Sequence, residues 1–100
     1  MSLDKLALLV AEAAMRRAVG LNYKLPGVPA GVRRGVERVV ERLASELAEP
    51  ASGSGLRCRL CGRGPYTPTG LLLHLRRVHR DQVARRAAEL LAAELLATHR

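Results

Sequence analysis

Two cysteines and two histidines in the second half of the chain constrain its fold more than any other feature. Cys58 and Cys61 are separated by two residues, twelve residues then precede His74, and four separate His74 from His79. A tight turn brings two thiolates together at this spacing. Two histidines five positions apart near the end of a helix can both contact the same ion. Four such side chains complete the tetrahedral shell of one Zn²⁺ ion. The spacing therefore predicts a single structural zinc site.

The segment 56–80, with its C-x2-C-x12-H-x4-H pattern, resembles the C₂H₂ zinc finger. The resemblance covers about a quarter of the chain and implies a ββα unit whose helix can enter the major groove of DNA. Leu56 and Leu71 match the family's small apolar core. Pro65 stands where the family usually has an aromatic residue, so we expect Tyr66 to take that core position.

Base readout by this finger is expected to be weak. The family's reading positions fall on Thr67, Gly70 and Leu73, with Thr69 as an auxiliary position. Discrimination between bases needs bidentate side chains, and a threonine offers one hydroxyl while glycine offers none. Any nucleic-acid affinity is therefore expected to come from the phosphate backbone.

Positive charge supports this expectation. The chain has a formal net charge of +8, of which residues 51–100 carry +6. Arg76 and Arg80 lie four apart and share one face of a helix. The alternative is that some arginines only solubilise the surface or pair with glutamates of the preceding helix. The predicted nucleic-acid contacts are Arg59, Arg63, Arg76, Arg77, Arg80, Thr67 and Thr69.

The rest of the chain predicts helices. Apolar residues recur at helical spacing over 2–19, where Ser2 is a possible N-cap and Gly20 a stop, over a valine-rich stripe that ends at Pro50, and over the last twenty residues. The predicted class is mainly α with a small ββα zinc finger. The predicted units are a helical hairpin (1–50), a Gly/Ser linker (51–55), the zinc finger (56–80) and an amphipathic helix (81–100) packed on 1–50.

The joint between finger and last helix leaves two arrangements open. One helix could run from residue 69 to 98, or Asp81 could cap a fresh helix that folds back on the valine-rich stripe; we favour folding back. A continuous rod would instead favour a homodimer. Its apolar contacts would be Leu90, Leu91, Leu95 and Leu96.

Other functional classes find little support. The chain lacks a run of about 18 uncharged apolar residues, so we expect no membrane span, and Asp4 and Glu12 argue against a signal sequence, which favours an intracellular protein. Four metal ligands leave no open coordination position, so we expect neither an enzyme nor a small-molecule substrate. A redox or disulfide role for the cysteines is disfavoured, and His99 is expected to be a solvated end residue.

Three functional interpretations follow. The first is a DNA-binding protein acting as a transcriptional regulator, which folds on zinc and contacts phosphates through arginines. The second is a protein-interaction module in which the finger is scaffold and a leucine-rich surface receives a partner. RNA binding is the third, since a basic finger without base readers could follow either backbone.

Overall fold

Over residues 2–98 the chain folds into four helices and a small antiparallel sheet, which confirms the predicted mainly α class. The computed structural model describes residues 2–98, so the expectation for His99 lies outside the described residues. The elements are α1 (Leu3–Ala18), α2 (Ala30–Ser45), β1 (Ala48–Pro50), β2 (Leu56–Cys58), α3 (Pro68–Val78) and α4 (Arg80–Thr98).

Helix α1 begins and ends close to where its sequence predicts. The Ser2 hydroxyl accepts a hydrogen bond from the backbone N–H of Lys5 at 3.3 Å, which satisfies one of the free donors of the first turn. After the helix, Gly20 has a φ of +85°, a conformation that favours glycine. Both boundary signals are local, which is why the sequence predicts them well.

Helices α1 and α2 run in the same direction, so the N-terminal half is not the predicted helical hairpin. Leu6 and Val32, near the starts of the two helices, line one groove, and Arg17 near the end of α1 pairs with Glu41 of α2. The connector 19–29 is therefore not a tight turn but returns along the bundle. Eleven residues can span up to about 35 Å, which is ample for this path.

Helix α2 is shorter than the valine-rich stripe suggests. It ends at Ser45, and Ala48–Pro50 form strand β1, so the predicted helical unit 1–50 does not stay helical to its end. Pro50 disfavours helical backbone at the residue before it, and the Leu47 carbonyl accepts the N–H of Arg59 instead of a helical partner. Pairing with the second half of the chain thus replaces the last helical turn.

Residues 51–55, predicted as a linker, form the loop of a hairpin. β1 pairs antiparallel with β2, with Ala48 opposite Cys58 and Pro50 opposite Leu56. Gly55 has a φ of +88°, and a Cβ there would lie 2.9 Å from the Tyr66 carbonyl oxygen. A Gly/Ser composition suits a tight loop as well as a flexible linker, and here tertiary pairing decides between them.

Helix α4 folds back against α1 and α2 rather than extending α3. The chain leaves helical geometry at His79, and α4 starts at Arg80. Arg86 near its start pairs with Glu46, and Glu94 near its end pairs with Arg38, so α4 runs antiparallel to α2. Within residues 2–98, buried Val, Ala and Leu side chains, with Met15 and Cys58, form a core cluster shared by the bundle and α3.

No helix within residues 2–98 is both long enough and apolar enough to cross a membrane.

The leucine run of α3 is largely covered by the fold. Leu72 and Leu75 are buried, whereas Leu73 remains 42% exposed. The bundle therefore receives most of the apolar surface that an isolated finger would leave in water.

Glu46 is a carboxylate shared by two arginines where α2 meets α4. Arg86 donates from Nε and Nη2 to its two oxygens at 2.9 and 3.0 Å, and Arg42 donates at 3.1 Å. The hydrogen bonds from Arg86 hold the pKa of Glu46 below its usual range; burial opposes this shift and Arg42 adds to it. The ionised carboxylate therefore stabilises the contact between the two helices.

We expect Arg86→Met to lower the free energy of unfolding at pH 7 only slightly, because the Arg86 and Glu46 side chains are both partly exposed. The folded pKa of Glu46 lies below its unfolded value near 4.5. The stabilisation is therefore present above that value and is lost as the pH falls through the folded pKa. Urea unfolding in the presence of a chelator, from pH 7 to pH 3, should show the two proteins converging. Arg85→Met is the control, and a difference independent of pH would contradict the expectation.

Candidate metal centre

Three short elements bring the four predicted ligands together. Cys58 ends β2, Cys61 lies in the turn that follows, His74 is in the middle of α3, and His79 caps that helix. The ligand atoms of these four side chains all lie within 4.8 Å of one another. The group is positioned to bind one metal ion, and it is compatible with the resemblance to a zinc finger.

The cysteine turn is held by its own backbone. The N–H of Cys58 donates to the Arg63 carbonyl at 2.9 Å, and the N–H of Gly62 donates to the Cys58 carbonyl at 2.8 Å. Gly62 has a φ of +78°, which permits the turn without strain. Further out, Leu56 and Tyr66 exchange two backbone hydrogen bonds, so a second, minimal hairpin surrounds the two thiols.

The ligands differ in exposure. Cys58 and His79 are buried, His74 is half-buried and Cys61 is exposed. The Nε2 atom of His79 is buried and has no hydrogen-bond partner in the described part of the chain. A buried imidazole nitrogen left without a partner is costly in a folded protein. A metal ion among the four ligands would supply that partner.

The pKa values of the two thiols are shifted in opposite directions. The backbone N–H of Arg63 lowers the pKa of the Cys61 thiol to about 6, and His79 and His74 add to this shift. Burial raises the pKa of the Cys58 thiol above its usual value. Cys61 is therefore mostly thiolate at neutral pH, whereas a metal must displace a proton from Cys58. Metal affinity is expected to fall as the pH falls.

The predicted finger core is present with one shift in position. Leu71 is fully buried, while Leu56 and Tyr66 are half-buried and pack against the core cluster. The Tyr66 ring stacks on His74, with ring centroids 5.0 Å apart and planes at 24°. Tyr66 thus contacts a metal ligand directly, one residue after the position at which the family has its aromatic side chain.

The side chains predicted to contact nucleic acid divide into two groups. Arg76 is paired with Glu12 of α1, and Arg59 donates to the Ser45 carbonyl at 2.6 Å, so both hold the finger to the bundle. The Thr67 hydroxyl caps α3 by accepting the Gly70 N–H at 3.0 Å. The remaining members, Arg63, Arg77, Arg80 and Thr69, are exposed, as are Arg59 and Thr67, and the three remaining arginine side chains have no partner within residues 2–98.

Two contributors to this region are absent from the sequence prediction. Glu12 lies 64 positions from Arg76, and no local pattern connects them. Gln82 lies three residues after His79, and its Oε1 is 3.0 Å from His79 Nδ1. The i, i+3 spacing after a predicted ligand was a signal available in the sequence.

Comparison of the chain with protein-family models, curated proteins and solved structures finds no significant match.

Proposed function

We propose that this chain is a zinc-dependent DNA-binding protein whose metal holds the finger folded and whose exposed arginines contact phosphates. The observation that carries the proposal is the convergence of two thiols and two imidazoles within 4.8 Å. The same segment carries three exposed arginines whose side chains have no partner within residues 2–98. We propose that the DNA binding serves transcriptional regulation, as in the first interpretation of the sequence.

Zinc is the metal that this donor set favours. Two cysteines and two histidines match the tetrahedral preference of Zn²⁺, and Zn²⁺ brings no redox chemistry to the site. Four protein ligands leave no coordination position for a water or substrate, so we propose a structural and not a catalytic metal. The orphaned Nε2 of His79 supports a resident ion.

The arginines best placed for phosphates are those that the fold leaves unpaired. Arg63 lies two residues after Cys61, Arg77 two residues before His79, and Arg80 directly after it. Because the ligand atoms converge, these backbone positions gather at the metal-binding end of the molecule. Arg76 and Arg59 are engaged within the protein and are not part of this proposed surface. Phosphate contacts position a protein on DNA without reading sequence.

The test is a salt-dependent anisotropy titration of the zinc-loaded protein against mixed-sequence duplex DNA. Each phosphate contact contributes about −0.9 to the slope of log affinity against log salt. We expect the triple variant Arg63→Gln, Arg77→Gln, Arg80→Gln to bind more weakly and to flatten the slope by about 2 to 3. The metal ligands are unchanged in this variant, so zinc binding should persist.

A matched control separates a defined surface from net charge. The side chains of Lys5, Lys24 and Arg34 also have no partner in the part of the chain that the structure describes. Lys5 and Arg34 lie near the starts of α1 and α2, at the opposite end of the bundle. Replacing these three residues by glutamine removes the same charge and should leave most of the slope. Equal losses in both triple variants, or no binding at low salt, would contradict the proposed surface.

A protein partner is the second candidate function, and one observation favours it. Leu73 and Val78 on α3 are 42% and 62% exposed beside Arg77, on the helix that carries the metal ligands. Thr67 and Gly70 are poor candidates for base recognition, because the Thr67 hydroxyl already accepts the Gly70 N–H and glycine has no side chain. Absence of DNA binding together with capture of an acidic peptide would favour this function. Duplex RNA competing as well as DNA would favour recognition of either backbone.

A further inference from the structure

Both candidate histidine ligands are hydrogen-bonded on the ring nitrogen that faces away from the other ligands. His74 places Nε2 3.3 Å from Cys61 Sγ and Nδ1 3.3 Å from the Tyr66 hydroxyl. His79 has its Nε2 buried without a partner and its Nδ1 3.0 Å from Gln82 Oε1. The same nitrogen of each ring is therefore left for a metal.

The hydrogen bond to Gln82 Oε1 selects for His79 the tautomer that such a site needs, and the Tyr66 hydroxyl, which can donate or accept, is compatible with the same tautomer of His74. A neutral imidazole that binds a metal through Nε2 carries its proton on Nδ1, which must then donate. The amide oxygen of Gln82 accepts a hydrogen bond from His79 in this state, and the Tyr66 oxygen accepts one from His74. Partners of this kind fix ring orientation and make the imidazole a better ligand.

We propose that Gln82 is a positioning residue for the metal centre, and that through it the seating of helix α4 becomes part of metal binding. The proposal rests on the zinc site of the proposed function. Gln82 is on the first turns of α4, while all four ligands precede that helix. Val83, the next residue, is 1% exposed and belongs to the core cluster shared with α1 and α2. One short segment thus joins a metal ligand to the packing of the bundle.

Gln82 acts through a specific atom, and this makes the proposal separable from a packing role. Its side chain is exposed, so the amide is not required to fill the core. Gln82→Met keeps the length and helical preference of the side chain but removes the acceptor. Gln82→Glu restores an acceptor, and the carboxylate is a stronger one. Arg85→Met is the matched control, because Arg85 and Gln82 line one cleft between α4 and α2 and the Arg85 side chain has no partner in residues 2–98.

The experiment measures Zn²⁺ affinity of the full chain by competition with a chromophoric chelator, together with the visible spectrum of the Co²⁺-loaded protein. We expect Gln82→Met to weaken Zn²⁺ binding about 10- to 100-fold and to shift the Co²⁺ bands. Gln82→Glu should bind at least as tightly as the wild type, and Arg85→Met should match it. Equal affinity and spectra for the wild type and Gln82→Met would overturn the proposal, whereas a wild type that binds no Zn²⁺ would overturn the proposed function itself.

A second measurement tests the coupling to α4. Hydrogen exchange of the α4 amides is compared in the metal-free and Zn²⁺-loaded protein. Loading should slow this exchange in the wild type and in Arg85→Met, and should slow it less in fully loaded Gln82→Met. The same protection of α4 in all three loaded proteins would contradict the coupling, because the metal would then act on α4 without Gln82.

Discussion

Removing the metal is expected to unfold the segment around Cys58 and to lower the free energy of unfolding by about 5 kcal/mol or more. Structural zinc in finger peptides contributes apparent binding energies of about 10–16 kcal/mol at pH 7, and binding to the folded state alone stabilises it. The whole of this energy should not be lost here, since most members of the core cluster lie on α1, α2 and α4 and are not candidate ligands. The Nε2 of His79 would nevertheless remain buried without a partner.

Urea unfolding followed by far-ultraviolet circular dichroism, with and without a chelator, measures this loss. The variant Cys58→Ser supplies the control, because it removes a ligand that is 0% exposed. It should resemble the chelated wild type, and a chelator should change it little further. A wild type whose unfolding midpoint does not respond to chelation would show that the fold around Cys58 does not rest on a metal.

The candidate metal ligands could be predicted because the geometry within each pair is local. The two cysteines lie in one turn, and the histidines lie on and at the end of one helix, so the spacing alone nearly brings them together. Ser2 and Gly20 bound α1 for the same reason. Features that depend only on neighbours within about five residues can be predicted from the sequence.

Features that depend on distant parts of the chain were not predictable. The Gly/Ser segment 51–55 has the composition of a linker, and only the pairing of β1 with β2 makes it a hairpin loop. The connector 19–29 is compatible with an antiparallel or a parallel arrangement of α1 and α2, and the packing of the two helices selects the parallel one. In each case a contact across many positions decided between two locally acceptable structures.

The arginines show the same division at the candidate site. Arg76 and Arg77 are adjacent and chemically identical, yet one pairs with Glu12 of α1 and the other faces solvent. Charge counting could identify a basic segment but could not assign its members to roles. The structure reduces five predicted arginine contacts to three candidates, which is what makes the matched triple variants informative.

Leu75→Ala is expected to destabilise the zinc-loaded protein by about 3 kcal/mol. Leu75 is 0% exposed on the finger helix and belongs to the core cluster that includes α1, α2 and α4. Truncating a buried leucine costs about 2–5 kcal/mol because a cavity remains. For a chain of this length, 3 kcal/mol corresponds to a fall in melting temperature of about 12 °C or more.

Leu73→Ala makes the matched control, since it removes the same atoms from the same helix at a side chain that is 42% exposed. It should change stability by about 0.5 kcal/mol or less. Melting is followed by circular dichroism and, in the Co²⁺-loaded protein, by the visible bands of the metal site. Coincident transitions that move together in Leu75→Ala would show that finger and bundle unfold as one unit. A metal-site transition that separates from the helical one would instead mean that the finger folds independently, because Leu75 would then stabilise the finger alone.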